Sequence, residues 1–187
     1  MTPGAGADAP GVRRPAVFLD RDGVLNEPLV RHGRPFSPRR PDELVVVPGV
    51  PDACARLRAR GLVLVVVTNQ PDVARGLQSA QDVAAINARL RAAIALDAVY
   101  VCPHDDADAC PCRKPKPGML LAAAGDLDLD LPRSFMVGDR WSDIEAGRSA
   151  GCRTVYIDRG YQEPRPTAFD HAVEDPVGAL DWVLTKV

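Results

Sequence analysis

Two carboxylates, Asp20 and Asp22, follow the apolar run 16–19, with one arginine between them and Gly23 after them. A short stretch of Ala, Val, Phe and Leu reads as a buried strand, and in parallel α/β proteins ligands collect at the carboxyl ends of strands. The period of two along an extended chain sends both acids to one side. There, one carboxylate can take a metal and attack phosphorus while its neighbour gives and takes a proton. Asp-x-Asp-Gly also occurs in calcium loops and ordinary turns, so its meaning depends on the company it keeps.

Three further motifs supply that company. Thr68-Asn69-Gln70 follows the apolar run 62–67, where a short hydroxyl and backbone amides can hold phosphate oxygens. Arg113-Lys114-Pro115 places two cations before a proline that favours extended backbone. An ammonium there neutralises charge on a phosphoryl group, and a guanidinium grips phosphate by two hydrogen bonds. In Val137-Gly138-Asp139-Arg140-Trp141-Ser142-Asp143, a strand again ends in an acid and a second acid enters the first helical turn. Asp139 paired with Asp20 gives the oxygen donors that Mg²⁺ prefers. Asp143 has two readings, a member of the site or a stabiliser of the helix N-terminus.

Cys102, His104, Cys110 and Cys112 form a set of another kind. Three thiols and an imidazole within one short stretch suit a tetrahedral ion, and such a Cys₃His shell is typical of structural zinc, with no position left for water. The metal is expected to fold the loop that presents Arg113 and Lys114. Cys54 and Cys152 sit in apolar surroundings and are expected to pack as small core residues.

These groups need a scaffold. Strand patterns recur at 16–19, 62–67, 98–101, 135–137 and 154–157. Helical patterns fall between them at 51–60, from a cap at Ser79 through Ile94, from Pro117 to Gly125, at 141–150, and on Val177, Leu180 and Leu184. The alternation implies an α/β, Rossmann-like parallel sheet with helices on both faces, a small zinc-binding loop and no large cap domain. A long segment, 26–48, carries Pro28, Pro35, Pro38 and Pro41 with Arg31, His32, Arg34, Arg39 and Arg40, and reads either as a binding loop or as an irregular excursion. His171 reads as a surface or packing residue rather than a ligand.

The 187 residues carry a net charge of −2 with Lys and Arg scattered, which argues against nucleic acid as a partner. The Gly-, Ala- and Pro-rich stretch 1–15 reads as a disordered tail without the apolar core of a signal peptide, and no run is long enough to cross a bilayer. The expectation is one domain over 16–187, cytoplasmic, monomeric, without a membrane partner, acting on a small phosphorylated metabolite.

Asp20-Arg21-Asp22-Gly23, Thr68-Asn69-Gln70, Lys114 and Gly138-Asp139-x-x-x-Asp143 resemble, in order, the four motifs of the haloacid dehalogenase-like (HAD) phosphatases. The resemblance implies roles. Asp20 is the nucleophile that forms an aspartyl-phosphate, Asp22 the general acid and base, and Thr68 and Lys114 steady the phosphoryl group. Asp139 completes a Mg²⁺ site with Asp20 and the main-chain carbonyl of Asp22. The zinc loop narrows the likeness to the branch holding the D-glycero-D-manno-heptose 1,7-bisphosphate 7-phosphatases and the histidinol-phosphatase domains. Thr68 to Gly76 and Arg113 to Met119 are similar to the heptose enzymes, while the five residues between His104 and Cys110 match the histidinol phosphatases. The implied activity is removal of the 7-phosphate from the heptose bisphosphate. Histidinol phosphate is the alternative substrate, and a catalytically decayed zinc-bearing interaction module the alternative from another class. Asn69, Arg113, Arg140 and, from the basic segment, Arg31 are the candidates for substrate binding.

Overall fold

A computed structural model describes residues 13–187. The chain runs through β1 (Ala16–Leu19), a hairpin of β2 (Leu29–Arg31) and β3 (Arg34–Phe36), α1 (Val50–Ala59), β4 (Val63–Asn69), α2 (Ala80–Ala93) and β5 (Ala98–Cys102). It continues through α3 (Gly118–Asp126), β6 (Phe135–Gly138), α4 (Trp141–Ser149), β7 (Arg153–Ile157), β8 (His171–Val173) and α5 (Pro176–Leu184). Six strands form one parallel sheet in the order β5-β4-β1-β6-β7-β8.

Alternation along the strands sorts the core into two layers. Val17 and Leu19 of β1 and Leu64 and Val66 of β4 meet α1, α2 and α5 through residues such as Leu57, Ile86 and Leu180. Phe18, Val65 and Val67 face the other way, onto Leu120 and Ala123 of α3 and Ala146 of α4. Both faces of the sheet are therefore dry, which is why the central strands read as unbroken apolar runs. Caps fix where helices begin. Ser79 accepts from the Asp82 amide at 3.0 Å and Asp82 reaches back to the Ser79 amide at 3.3 Å, closing a capping box on α2. Cys54 and Cys152 are buried as expected, and burial pushes both thiols up to about 12, so neither is a ready nucleophile.

The topology places the site. From β1 the chain builds outward through β4 to β5, then crosses back to add β6, β7 and β8 on the other side of β1. The order reverses at β1, and the crevice outside the carboxyl ends of β4, β1 and β6 is where such sheets bind ligands.

Several expectations are corrected. Residues 26–48 are not one loop: β2 and β3 pair antiparallel with Arg31 opposite Arg34. His32 and Gly33 make the turn with φ of 49° and 70°, the two left-handed positions of a twist-compatible hairpin turn. The strand β8 was not expected, and His171 lies on it, its ring stacked on Trp182 at 4.7 Å. Helix α3 runs through Gly125 to Asp126. Of the expected tail 1–15, residues 1–12 lie outside the described residues, but Arg14 is paired, its amide donating to the Asp128 carbonyl at 3.1 Å. Among the described residues no helix is long and apolar enough to cross a membrane.

Candidate active site

Strand pairing brings the acids together. Leu19 of β1 sits in register with Val137 of β6, and the Asp20 amide donates to the Val137 carbonyl at 3.0 Å. Asp20 and Asp139 thus leave neighbouring strand ends side by side. Asp143, one turn into α4, joins them, and the three carboxylates each offer an oxygen within 4.8 Å of the others. All three are buried. Two glycines allow this crowding: a Cβ on Gly23 would lie 1.7 Å from Asp139 Oδ2, and one on Gly138 would lie 2.2 Å from the Asp143 Cβ. Gly23 also needs its φ of 94°.

Lys114 holds the cluster together. Its ammonium donates to Asp20 Oδ1 at 2.6 Å and to the Val67 carbonyl at 2.8 Å, and pairs with Asp143 Oδ1 at 2.7 Å. The other Asp143 oxygen accepts from the Arg140 amide at 3.0 Å, so both readings of Asp143 hold: it caps α4 and belongs to the site. Burial raises the Asp20 carboxyl to about 6; Lys114 opposes the rise, and Asp143 and Asp22 add to it. Asp139 is raised well above its ordinary value, by burial and then by Asp20 and Asp143. Its Oδ1 is buried without any partner. Buried like charges with an orphaned oxygen are what a divalent cation relieves, and oxygen donors alone suit Mg²⁺.

Asp22 faces a different set. Its carboxylate accepts from Arg21 at 3.0 and 3.1 Å, Asn26 at 3.0 Å, Ser37 at 2.7 Å and Gln70 at 3.0 Å. Burial raises its pKa, yet Arg21 and these hydrogen bonds outweigh burial and hold it below the usual carboxylate range. Its side chain does not join the three-acid cluster. Gln70 also donates to Thr68 Oγ1 at 2.8 Å, tying the hydroxyl to the acid.

The remaining candidates separate. Thr68 and Asn69 form the last two positions of β4 rather than a turn after it. Asn69 clamps the backbone of Lys114, donating to its carbonyl at 3.0 Å and accepting from its amide at 3.1 Å, so its side chain positions the lysine. A small cavity of about 50 Å³ opens over Asp20, Asp22, Thr68 and Lys114. Beside it lies a second cavity of about 310 Å³, walled by Arg34, Arg75, Arg113, Arg140, Asp72 and Glu163 among others. Each arginine candidate there already has an acid: Arg113 meets Asp106 at 2.6 Å, and Arg140 meets Glu163 through two hydrogen bonds of 2.8 Å. Arg31 lines neither cavity; it is exposed and stacks over Phe36 at 5.9 Å, and Arg34 stands at the cavity in its place. Trp141 lines neither cavity. A roomier hollow of about 450 Å³ between α2 and β5 holds no acid, thiol or hydroxyl.

The segment after β7 was missed altogether. Arg159 donates to the Gly23 carbonyl at 2.8 and 3.1 Å and to Glu27 at 3.0 Å, and Tyr161 donates to Asp139 Oδ2 at 2.8 Å. These residues carry no period and follow no strand end directly, so only the tyrosine and charged residues flanking Gly160 hinted at them.

The thiol cluster forms as expected. Sulfur separations are 3.2, 3.3 and 3.6 Å, and His104 Nδ1 lies 3.3 Å from Cys112 Sγ. A tetrahedron with zinc–sulfur bonds of about 2.3 Å has edges of about 3.8 Å, so the four groups are close to zinc-binding spacing. Cys102 ends β5, and a Cβ on Gly118, first residue of α3, would lie 2.3 Å from the Pro111 carbonyl. The knuckle is thus wedged between β5 and α3, and Lys114 leaves it toward Asp20.

Residues 111–181 match the HAD-hydrolase-like family model. Over 93% of this chain and 97% of the relative, the sequence is 38% identical to D-glycero-D-manno-heptose-1,7-bisphosphate 7-phosphatase of Thermosynechococcus vestitus. The Yersinia pestis D-glycero-beta-D-manno-heptose-1,7-bisphosphate 7-phosphatase is 35% identical over 92% and 91% of the two chains. Among solved structures, D,D-heptose 1,7-bisphosphate phosphatase of Bordetella bronchiseptica, complexed with magnesium and phosphate, superposes with a TM-score of 0.79. It shares 33% identity, over 92% of this chain and 99% of the other. With its acids, lysine and thiol knuckle set as described, the chain belongs to the heptose-bisphosphate phosphatase family of HAD-like phosphatases.

Proposed function

We propose that this chain removes the 7-phosphate of D-glycero-D-manno-heptose 1,7-bisphosphate, a step toward nucleotide-activated heptose, through a phosphoryl group carried on Asp20. The observation that carries the reading is the floor of the small cavity, where Asp20 meets the Lys114 ammonium at 2.6 Å beside an Asp139 oxygen with no partner. The near full-length relatives named for that reaction support the choice of sugar.

An Asp20 oxygen attacks phosphorus, and the bond from phosphorus to the sugar oxygen breaks as Asp22 delivers a proton to that oxygen. Water then attacks the same phosphorus, Asp22 takes its proton, and the bond to Asp20 breaks to release phosphate. Asp20, Asp139 and the main-chain carbonyl of Asp22 would hold Mg²⁺, with Asp143 in reach; when bound, the ion supplies neutralisation between the anionic carboxylate and the anionic phosphate. Lys114 and Thr68 hold phosphoryl oxygens. Asp22 rests ionised under its donors, and the negative charge of an arriving phosphate opposes that ionised form and draws a proton onto it. In the larger cavity, Arg34 takes the distal phosphate and the sugar hydroxyls, joined by Arg113 and Arg140 as these exchange with their acid partners. The protein acts as a cytoplasmic monomer on this small metabolite.

The test is phosphate release by the purified chain, with Mg²⁺ and with EDTA. The substrates compared are both anomers of the heptose bisphosphate, histidinol phosphate and a 3′-phosphorylated oligonucleotide. The expected result is Mg²⁺-dependent release with the highest kcat/KM on a heptose anomer. A higher kcat/KM on histidinol phosphate would reassign the substrate, and no release from any would reject the phosphatase reading.

A further inference from the structure

The segment joining β7 to β8 ties down the active site at four points. Arg159 fixes the Gly23 carbonyl and Glu27, Tyr161 bonds Asp139, the Gln162 amide donates to the Gly33 carbonyl at 2.9 Å, and Glu163 holds Arg140. Its second tie reaches the metal site directly. Asp139 Oδ2 is wedged between the Tyr161 hydroxyl at 2.8 Å and the backbone of Gly23, where a Cβ would come within 1.7 Å of that oxygen and 3.1 Å of the hydroxyl. The other oxygen, Oδ1, is buried and unpartnered. One oxygen is therefore spent on the protein and the other is left bare.

We propose that Tyr161 is a positioning residue for the metal site: its hydroxyl locks Asp139 in the rotation that presents Oδ1 alone to a divalent cation. Arg159 and Gln162 hold the chain on either side, so the hydroxyl is already in place before the cation arrives, and groups of this kind commonly set a ligand's orientation and affinity. Without the hydroxyl, Oδ2 loses its only hydrogen-bond partner among the described residues and Asp139 can turn or become bidentate. The inference rests on the reading of a Mg²⁺-dependent phosphatase and goes beyond it, because it assigns a role to a residue outside the four motifs.

The test is calorimetric titration of Mg²⁺, with no substrate present, into the full-length zinc-replete protein and its Tyr161→Phe variant. Expected is a Mg²⁺ Kd weakened by about 10-fold, the lower end for loss of a group that orients a metal ligand. The Mg²⁺ concentration for half-maximal activity should rise by a similar factor, while kcat at saturating Mg²⁺ stays within about two-fold. The rise in Tm on adding Mg²⁺, taken for each protein against its own metal-free form, should shrink in the variant even if the variant is less stable. Gln162→Ala, which keeps the amide hydrogen bond but removes the side chain packed against Gly33 and so loosens the same segment away from Asp139, should leave the Kd unchanged. An unchanged Kd in Tyr161→Phe, or an equal loss in Gln162→Ala, would overturn the role of Tyr161 while leaving the phosphatase intact. Absence of Mg²⁺ binding to the unmodified chain would overturn the metal-dependent reading and this inference together.

Discussion

The carboxylate cluster and the thiol cluster are both fitted to a metal, and they are built in opposite ways. The thiol cluster draws all its ligands from one short stretch, Cys102 to Cys112, at the end of β5. The carboxylate cluster gathers Asp20, Asp139 and Asp143 from the ends of two strands and the start of a helix, with Lys114 brought from a third place. The first is closed, four protein groups facing one another; the second opens into a cavity and leaves an oxygen bare. A closed shell stores folding energy, whereas an open one stores reactivity. Lys114 connects them, because the knuckle that the thiols fold delivers the ammonium to Asp20.

The largest expected effect separates the two. Asp20→Asn should lower kcat by at least about 10⁴-fold, the scale on which loss of a covalent nucleophile is felt. Zinc content should not change. Stability should not fall either, because the Asp20 carboxyl is raised in the fold from 3.8 to about 6. A raised acid binds its proton more tightly folded than unfolded, so it costs the metal-free protein stability that is lost as pH rises from about 4 to 6 and stays lost at neutral pH. The metal-free variant should accordingly melt at or above the parent temperature at pH 7, and a clear drop in Tm would show that the open cluster is also structural.

Breaking the closed cluster should do the reverse first. Cys112→Ser is expected to abolish stoichiometric zinc and lower Tm by several degrees, the order of a lost structural constraint. Activity should fall with it through disorder of Lys114, and added Mg²⁺ should not restore it. Full activity in a zinc-free variant would show that the knuckle does not hold the lysine.

Asn69→Ala sharpens the link between them. It removes the two hydrogen bonds that fix the Lys114 backbone without touching either set of ligands. The expected loss is about 10-fold in kcat, corresponding to roughly 1.4 kcal/mol of positioning, with zinc content and Mg²⁺ affinity unchanged. A rise in KM alone would make Asn69 a substrate contact instead.

The smallest effects should distinguish the two arginines of the hairpin. Arg34→Ala is expected to raise KM several-fold, and Arg31→Ala to change kcat/KM by less than about two-fold, as for surface positions away from special features. Equal effects would mean that the hairpin moves to bring Arg31 in.

Much of this was legible in the residues. The acids at 20, 22 and 139 follow strand ends, Lys114 follows the thiol knuckle, and buried parallel strands announce themselves as β-branched runs such as 62–67. The knuckle was legible because ligand spacing in one segment survives without any knowledge of the fold. What stayed hidden depends on distance in space. Asp143 offered two readings in sequence, but that one oxygen meets the Arg140 amide while the other meets a lysine brought from elsewhere shows only in the fold. The segment 158–163 has no hydrophobic period because its residues are chosen for what they reach, not for a face they bury. The strands at 29–31, 34–36 and 171–173 are three residues each, too short for alternation to register. The His32-Gly33 pair was the available signal for the hairpin, and its consequence is that Arg34, directly across from Arg31, is the one at the cavity.

The environment of Lys114 bears on how the site empties. An ammonium has three hydrogens, and all three find acceptors, on Asp20, Asp143 and the Val67 carbonyl. A phosphate oxygen reaching this lysine does not fill a vacancy; it exchanges with a carboxylate that returns as the phosphate departs. On the proposed mechanism such an exchange gains little for a bound phosphate that is not in transit between oxygens, so weak product inhibition by free phosphate is the expected outcome.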